Sequence, residues 1–130
     1  MKLVLDTNVW LDVLVFDDPA ARALGEGKFE VLIDAPCAAE LERVLGYPLG
    51  RWTLTPERQA ECATRSRRLA QLVSHEGRSP AALPRCADPD DQKFLELAAA
   101  CGADALVTKD EALLRLRARQ PFRVVRPVEL

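Results

Sequence analysis

Four acidic side chains stand where a predicted strand ends or a predicted helix begins: Asp6, Glu40, Asp91 and Asp110. Carboxylate oxygens are the ligands that Mg²⁺ and Mn²⁺ prefer in proteins. An ion held by such a set can activate a water molecule and stabilise the leaving oxygen of a phosphodiester. The four acids therefore indicate hydrolysis assisted by Mg²⁺ or Mn²⁺, provided that the fold brings them together.

The apolar runs and helix boundaries predict strands that alternate with helices. Predicted strands cover residues 3–5, 29–33, 105–107 and 122–125, with a further short strand near 82–83. Predicted helices cover residues 8–15, 19–24, 36–46, 55 to 73 or 74, 88–102 and 110–117. We therefore expect an α/β fold, a single domain over residues 1–130 with a four- or five-stranded parallel sheet and helices on both faces. Ligands bind outside the carboxyl ends of the strands in such sheets, which is where Asp6 and Asp110 fall.

Each acid also has an ordinary structural interpretation. Asp110 could cap the helix that follows it, and residues 6–8 could form an Asx turn. The segment 88–91 has the pattern of a helix start, and Glu40 could pair with Arg43 on the surface. Glu40 lies beside the apolar stripe of its helix, however, where a carboxylate costs stability unless a partner such as a metal ion is present.

Composition argues against several classes of protein. The chain has 18 basic and 20 acidic side chains and a formal net charge of −2. It therefore lacks the positive charge of a protein that coats nucleic acid by neutralising phosphates. A zinc site is not expected, because the cysteines form no CxxC pair and His75 is the only histidine. These cysteines are Cys37, Cys62, Cys86 and Cys101. No membrane span or signal sequence is evident, so we expect a cytoplasmic protein with reduced thiols.

The acids lie in four short motifs, in the order VLDTNV at 4–9, AELERVL at 39–45, DPDDQKFLELA at 88–98 and VTKD at 107–110. Together these motifs span nearly the whole chain, and they resemble those of PIN-domain ribonucleases, in particular the toxin-like members of bacterial toxin–antitoxin pairs. The resemblance implies that the four acids bind Mg²⁺ or Mn²⁺, and it leaves open which aspartate of 88–91 is the third ligand. The side chains suited to holding these ligands by hydrogen bonds are Thr7, Asn8, Asp88 and Thr108.

The resemblance further implies an endoribonuclease that cuts single-stranded RNA to leave a 5′-phosphate and a 3′-hydroxyl. It implies two protein partners, a cognate antitoxin and a second copy of the chain in a homodimer. Arg58 and Arg65 share one face of a predicted helix, and with Lys109 in a loop they are candidates for binding the RNA. The alternative is an ordinary charged surface.

A set of apolar residues near the first helix could form the partner's binding surface or could simply be core. It comprises Val9, Trp10, Leu14, Val15 and Phe16, together with Trp52 in a loop.

Three other functions compete with the nuclease hypothesis. A catalytically silent PIN-like module could bind RNA or regulate a partner, although no acid has been lost. An aspartyl-phosphate-type hydrolase needs a second acid two residues after the first, where this chain has Asn8. A cysteine–histidine enzyme could use only His75, which lies in a polar segment.

Overall fold

The computed structural model describes residues 1–75, 83, 86, 88–117 and 122–130. The strand predicted near 82–83 falls at the border of this set. Residue 82 lies outside the described residues, and Leu83 belongs to no strand.

Five parallel strands form one sheet within the described residues, in the spatial order β3-β2-β1-β4-β5. The strands are β1 Lys2–Leu5, β2 Glu30–Ile33, β3 Ala70–Leu72, β4 Ala105–Val107 and β5 Arg123–Val125. The central strand β1 pairs with β2 on one side and β4 on the other, so that Leu3 lies opposite both Val31 and Ala105. This confirms the predicted α/β class and its parallel sheet.

Helices connect the strands and cover the sheet. They are α1 Thr7–Leu14, α2 Ala35–Leu45, α3 Pro56–Leu69, α4 Gln92–Ala100 and α5 Glu111–Leu114. Short 3-10 helices lie at Pro19–Glu26, Gly50–Trp52, Pro89–Asp91 and Pro127–Glu129. No helix within the described ranges combines the length and apolar character needed to cross a membrane.

The burial of the inner strands shows that both faces of the sheet are covered. Leu3, Val4 and Leu5 of β1 are all buried, and so is every residue of β4. Successive side chains of a strand point to opposite faces, so a continuous buried run requires packing on both sides. The apolar runs that predicted these strands therefore reflect burial on two faces.

Two predicted helices end earlier than the sequence suggested. The helix expected to reach residue 73 or 74 stops at Leu69, and the chain turns extended at Ala70 to form β3 beside β2. β3 lies at the edge of the sheet with Leu72 exposed, so it lacks the apolar run that marks an inner strand. The helix expected over 110–117 is only the short α5. In the first case, hydrogen bonds to a neighbouring strand override helix propensity, which a local pattern does not reveal.

Candidate active site

Asp6 lies at the centre of the sheet's carboxyl edge, directly after β1, and is 3% exposed. Its Oδ1 accepts a hydrogen bond of 2.9 Å from the Val9 amide and so caps α1. Its Oδ2 accepts a hydrogen bond from the Thr108 hydroxyl. Burial raises the pKa of Asp6, the two hydrogen bonds oppose that rise, and the charge of Asp110 adds to it. One carboxylate thus caps a helix and also faces the neighbouring acid.

Thr108 links Asp6 to Asp110 at the end of β4. Thr108 is fully buried, and its Oγ1 accepts a hydrogen bond of 2.9 Å from the Asp110 amide while its hydroxyl serves Asp6. Asp110 in turn caps α5, because its Oδ1 accepts a hydrogen bond of 2.8 Å from the Ala112 amide. These bonds fix the positions of both acids relative to β1 and β4.

Asp91 completes this acidic group from the 3-10 helix that precedes α4. It lies within hydrogen-bonding reach of Asp110, and the charges of Asp88 and Asp6 also act on it. Burial, followed by the contact and charge of Asp110, raises the pKa of Asp91 to about 7. Its Oδ2 is buried and has no hydrogen-bond partner within the described part of the chain.

Glu40 reaches the same region from α2 but is held by other groups. Its Oε2 accepts a hydrogen bond from the Thr7 hydroxyl, and its Oε1 lies 2.9 Å from the Lys93 ammonium. A cavity of about 210 Å³ is shared by Glu40 and the aspartates Asp6 and Asp91. It is lined by Asp6, Thr7, Asn8, Glu40, Val44, Asp88, Asp90, Asp91 and Phe94. The fold therefore gathers the predicted acids in one region, with Asp110 beside Asp91 and with Glu40 paired to a lysine.

The three basic residues proposed for RNA binding do not line this cavity. Arg58 forms an exposed ion pair of 2.7 Å with Glu61. Arg65 donates to the carbonyl of Val13 at 3.1 Å, which ties α3 to α1. The ammonium of Lys109 lies 2.6 Å from Oδ2 of Asp12, a buried acid of α1. Their contribution to RNA binding stays a prediction, and each has a structural contact of its own.

Several charged residues of this edge were missed by the sequence analysis. Asp34 follows β2 as directly as Asp6 follows β1, so the same rule could have selected it. Asp34 caps α2, and its Oδ2 lies 2.8 Å from Nε2 of His75. Burial acts to raise the pKa of Asp34, but hydrogen bonds from Cys37 and His75 outweigh burial and lower it. Lys93 lies in the third acidic motif, three residues after Asp90. This spacing, which places two side chains on the same side of a helix, was the sequence feature that could have indicated its position near the acids.

The apolar set near α1 is mostly core. Trp10 is 2% exposed, and the aliphatic members of the set, Val9, Leu14 and Val15, are also buried. Trp52 is 43% exposed and meets the half-buried Phe16 edge to face, with ring centroids 5.8 Å apart. Of the surface predicted to bind a partner, only the Phe16 and Trp52 portion is accessible.

The chemistry of the donors fits a hard divalent cation. Asp6, Asp91 and Asp110 present carboxylate oxygens of the kind that Mg²⁺ and Mn²⁺ prefer. Oδ2 of Asp91 is a buried acceptor that still lacks a partner within the described residues. No group of three or more His, Cys, Asp or Glu side chains among the described residues has the geometry to hold an ion as it stands. The aspartates would therefore have to draw closer around an ion.

The comparisons with known proteins agree with this fold. The family model described as PIN domain matches residues 2–112, so the chain belongs to the PIN-domain family. Members of this family are typically nucleases and typically bind divalent metals.

Among solved structures, a chain in the crystal structure of VapBC2 from Rickettsia felis, bound to a DNA fragment from their promoter, is similar in fold. The TM-score is 0.62 at 13% sequence identity, over 96% of this chain and 97% of that chain. At this identity the likeness shows the fold alone. No curated protein is significantly similar to the chain in sequence.

Proposed function

We propose that the protein is a divalent-metal-dependent endoribonuclease that hydrolyses single-stranded RNA. The observation that carries the proposal is the environment of Asp91. Its carboxylate lies beside Asp110, and its Oδ2 is buried without a hydrogen-bond partner among the described residues. A capping role alone does not account for this arrangement, because an unsatisfied buried acceptor among like charges costs stability. A cation that binds there removes this cost, so the arrangement favours a metal site.

The chain's own residues divide the work at this site. Asp6, Asp91 and Asp110 would hold Mg²⁺ or Mn²⁺, and Thr108 orients Asp6 through its hydroxyl. A bound divalent ion supplies positive charge that makes a water molecule a better nucleophile and offsets the charge developing on the phosphate. Asn8 and Asp88 line the cavity, where they can hydrogen-bond water or substrate.

The test is cleavage of a single-stranded RNA by purified protein in the presence of Mg²⁺ or Mn²⁺. We expect Asp6→Asn and Asp91→Asn to abolish cleavage and EDTA to abolish it in the wild type. Asp104→Asn is a matched control, because Asp104 is exposed at the amino end of β4, where its carboxylate accepts a hydrogen bond of 2.7 Å from the Lys2 amide. An intact metal-binding protein that cleaves no RNA would favour the catalytically silent module instead.

We further propose that the nuclease is the toxin of a toxin–antitoxin pair and acts as a homodimer. The similarity in fold to a chain of VapBC2 supports an antitoxin partner. The exposed Trp52 and its neighbour Phe16 offer an apolar surface of the kind that binds a partner. A short upstream gene whose product co-purifies with this chain and suppresses cleavage would support the pair. Sedimentation as a monomer at micromolar concentration would exclude a stable homodimer.

A further inference from the structure

Lys93 places a positive charge at the edge of the acidic cavity. Its ammonium lies 2.9 Å from Oε1 of Glu40 and also donates to the carbonyl of Asp90. The side chains of Lys93 and Glu40 are only 23% and 17% exposed. The pair is therefore shielded from bulk water. In this shielded position the two charges attract each other more strongly than they would on an open surface.

This pairing divides the acids into two unequal groups. Both oxygens of Glu40 are engaged, one by Thr7 and the other by Lys93. Asp91, by contrast, keeps a buried oxygen without a partner in the described residues and lies beside Asp110. The excess negative charge is thus concentrated on the aspartates, and Glu40 is already neutralised.

Lys93 can take the place of a divalent ion at Glu40. Nuclease sites with two metal ions hold them about 4 Å apart, and each ion needs its own carboxylates. A lysine ammonium is a compact point charge that can occupy such a position permanently. A second divalent ion at Glu40 would have to displace Lys93 and leave that ammonium unpaired in a half-buried place.

We propose that Lys93 is a resident cation which occupies the position of a second metal ion, so that this protein binds one divalent ion on Asp6, Asp91 and Asp110. The inference rests on the proposed metal-dependent function and specifies the number of ions. Lys93 is then a positioning residue that keeps Glu40 away from the ion. A purely structural ion pair would affect the stability of the protein and not the number of ions bound.

The experiment is a titration with Mn²⁺, with bound and unbound ion distinguished by electron paramagnetic resonance. We expect the wild type to bind about one ion, and Lys93→Met to bind about two because Glu40 becomes available. The double variant Lys93→Met with Glu40→Gln should return to about one ion. Lys28→Met is the matched control, because Lys28 forms an exposed ion pair of 2.9 Å with Glu26 before β2. A cooperative thermal unfolding transition, measured for each variant without metal, checks that the variant is folded.

Each outcome separates the inference from the proposed function. Two ions in the wild type, or one in Lys93→Met, would overturn the inference while the metal-dependent function stands. No bound ion in the wild type would refute the metal-dependent function and the inference with it. If Lys93→Met does not fold, Lys93→Gln is titrated in its place, because glutamine also removes the charge and keeps a donor for the carbonyl of Asp90; two bound ions support the assignment and one overturns it.

Discussion

Replacing Asp91 with asparagine is expected to stabilise the metal-free protein at neutral and alkaline pH. In the folded protein the pKa of Asp91 is about 7, against an ordinary value of 3.8. A carboxyl whose pKa is raised by folding makes the folded state less stable when it ionises. The cost is therefore absent below about pH 4, increases up to about pH 7 and is constant above that. Asparagine carries no charge at any of these values, and its amide can donate a hydrogen bond to Asp110.

The expected size of the effect follows from the raised pKa. The difference from the ordinary value corresponds to about 4 kcal/mol if fully expressed. The side chain of Asp91 is half-buried, and solvent screening reduces this figure to about 2 kcal/mol. In a chain of 130 residues, such a gain raises the melting temperature by about 6–8 °C.

Urea unfolding in EDTA, repeated from about pH 4 to about pH 8.5, measures this effect. The free energy of unfolding of Asp91→Asn should match that of the wild type at the acid end and exceed it at the alkaline end. The control Asp104→Asn removes an exposed charge at the opposite edge of the sheet and should show no such divergence. A gain independent of pH, or a loss of stability at about pH 8, would refute the reasoning.

Four further variants test other parts of the structure. Thr108→Val should cost about 1–3 kcal/mol in unfolding free energy, because the buried Asp6 loses its hydroxyl donor. Trp10→Ala should cost about 3–5 kcal/mol in urea unfolding, whereas Trp52→Ala, which is 43% exposed in the wild type, should cost less than about 1 kcal/mol. Asp34→Asn should lower stability at about pH 6, and this loss should shrink as the pH falls below the ordinary pKa of 3.8. The reason is that the lowered pKa of Asp34 stabilises the fold only above its ordinary value of 3.8, and this contribution is lost as the pH falls through the folded value.

The fold was predictable from the sequence where local pattern and tertiary packing agree. Strands β1 and β4 are buried on both faces, so their short apolar runs were visible in the sequence. β3 was not predictable, because it is an edge strand whose formation depends on pairing with β2. The same distinction applies to the site. The position of Asp6 followed from the end of a strand, whereas the ion pair of Glu40 with Lys93 joins residues 53 apart in the sequence.

The capping and metal-binding interpretations of these acids are compatible, because a carboxylate has two oxygens. Oδ1 of Asp6 caps α1 and Oδ1 of Asp110 caps α5, and Oδ2 of Asp6, which accepts the Thr108 hydroxyl, keeps a further lone pair for a cation. The helix amino terminus carries a partial positive charge that favours a carboxylate there. Caps therefore allow like charges to be held near one another in a folded protein without a metal. Asp91 differs, because no side-chain bond to its helix amides is present and its pKa rises to about 7. Among the three aspartates, Asp91 is thus the one that caps no helix and the one whose negative charge a bound cation would stabilise most.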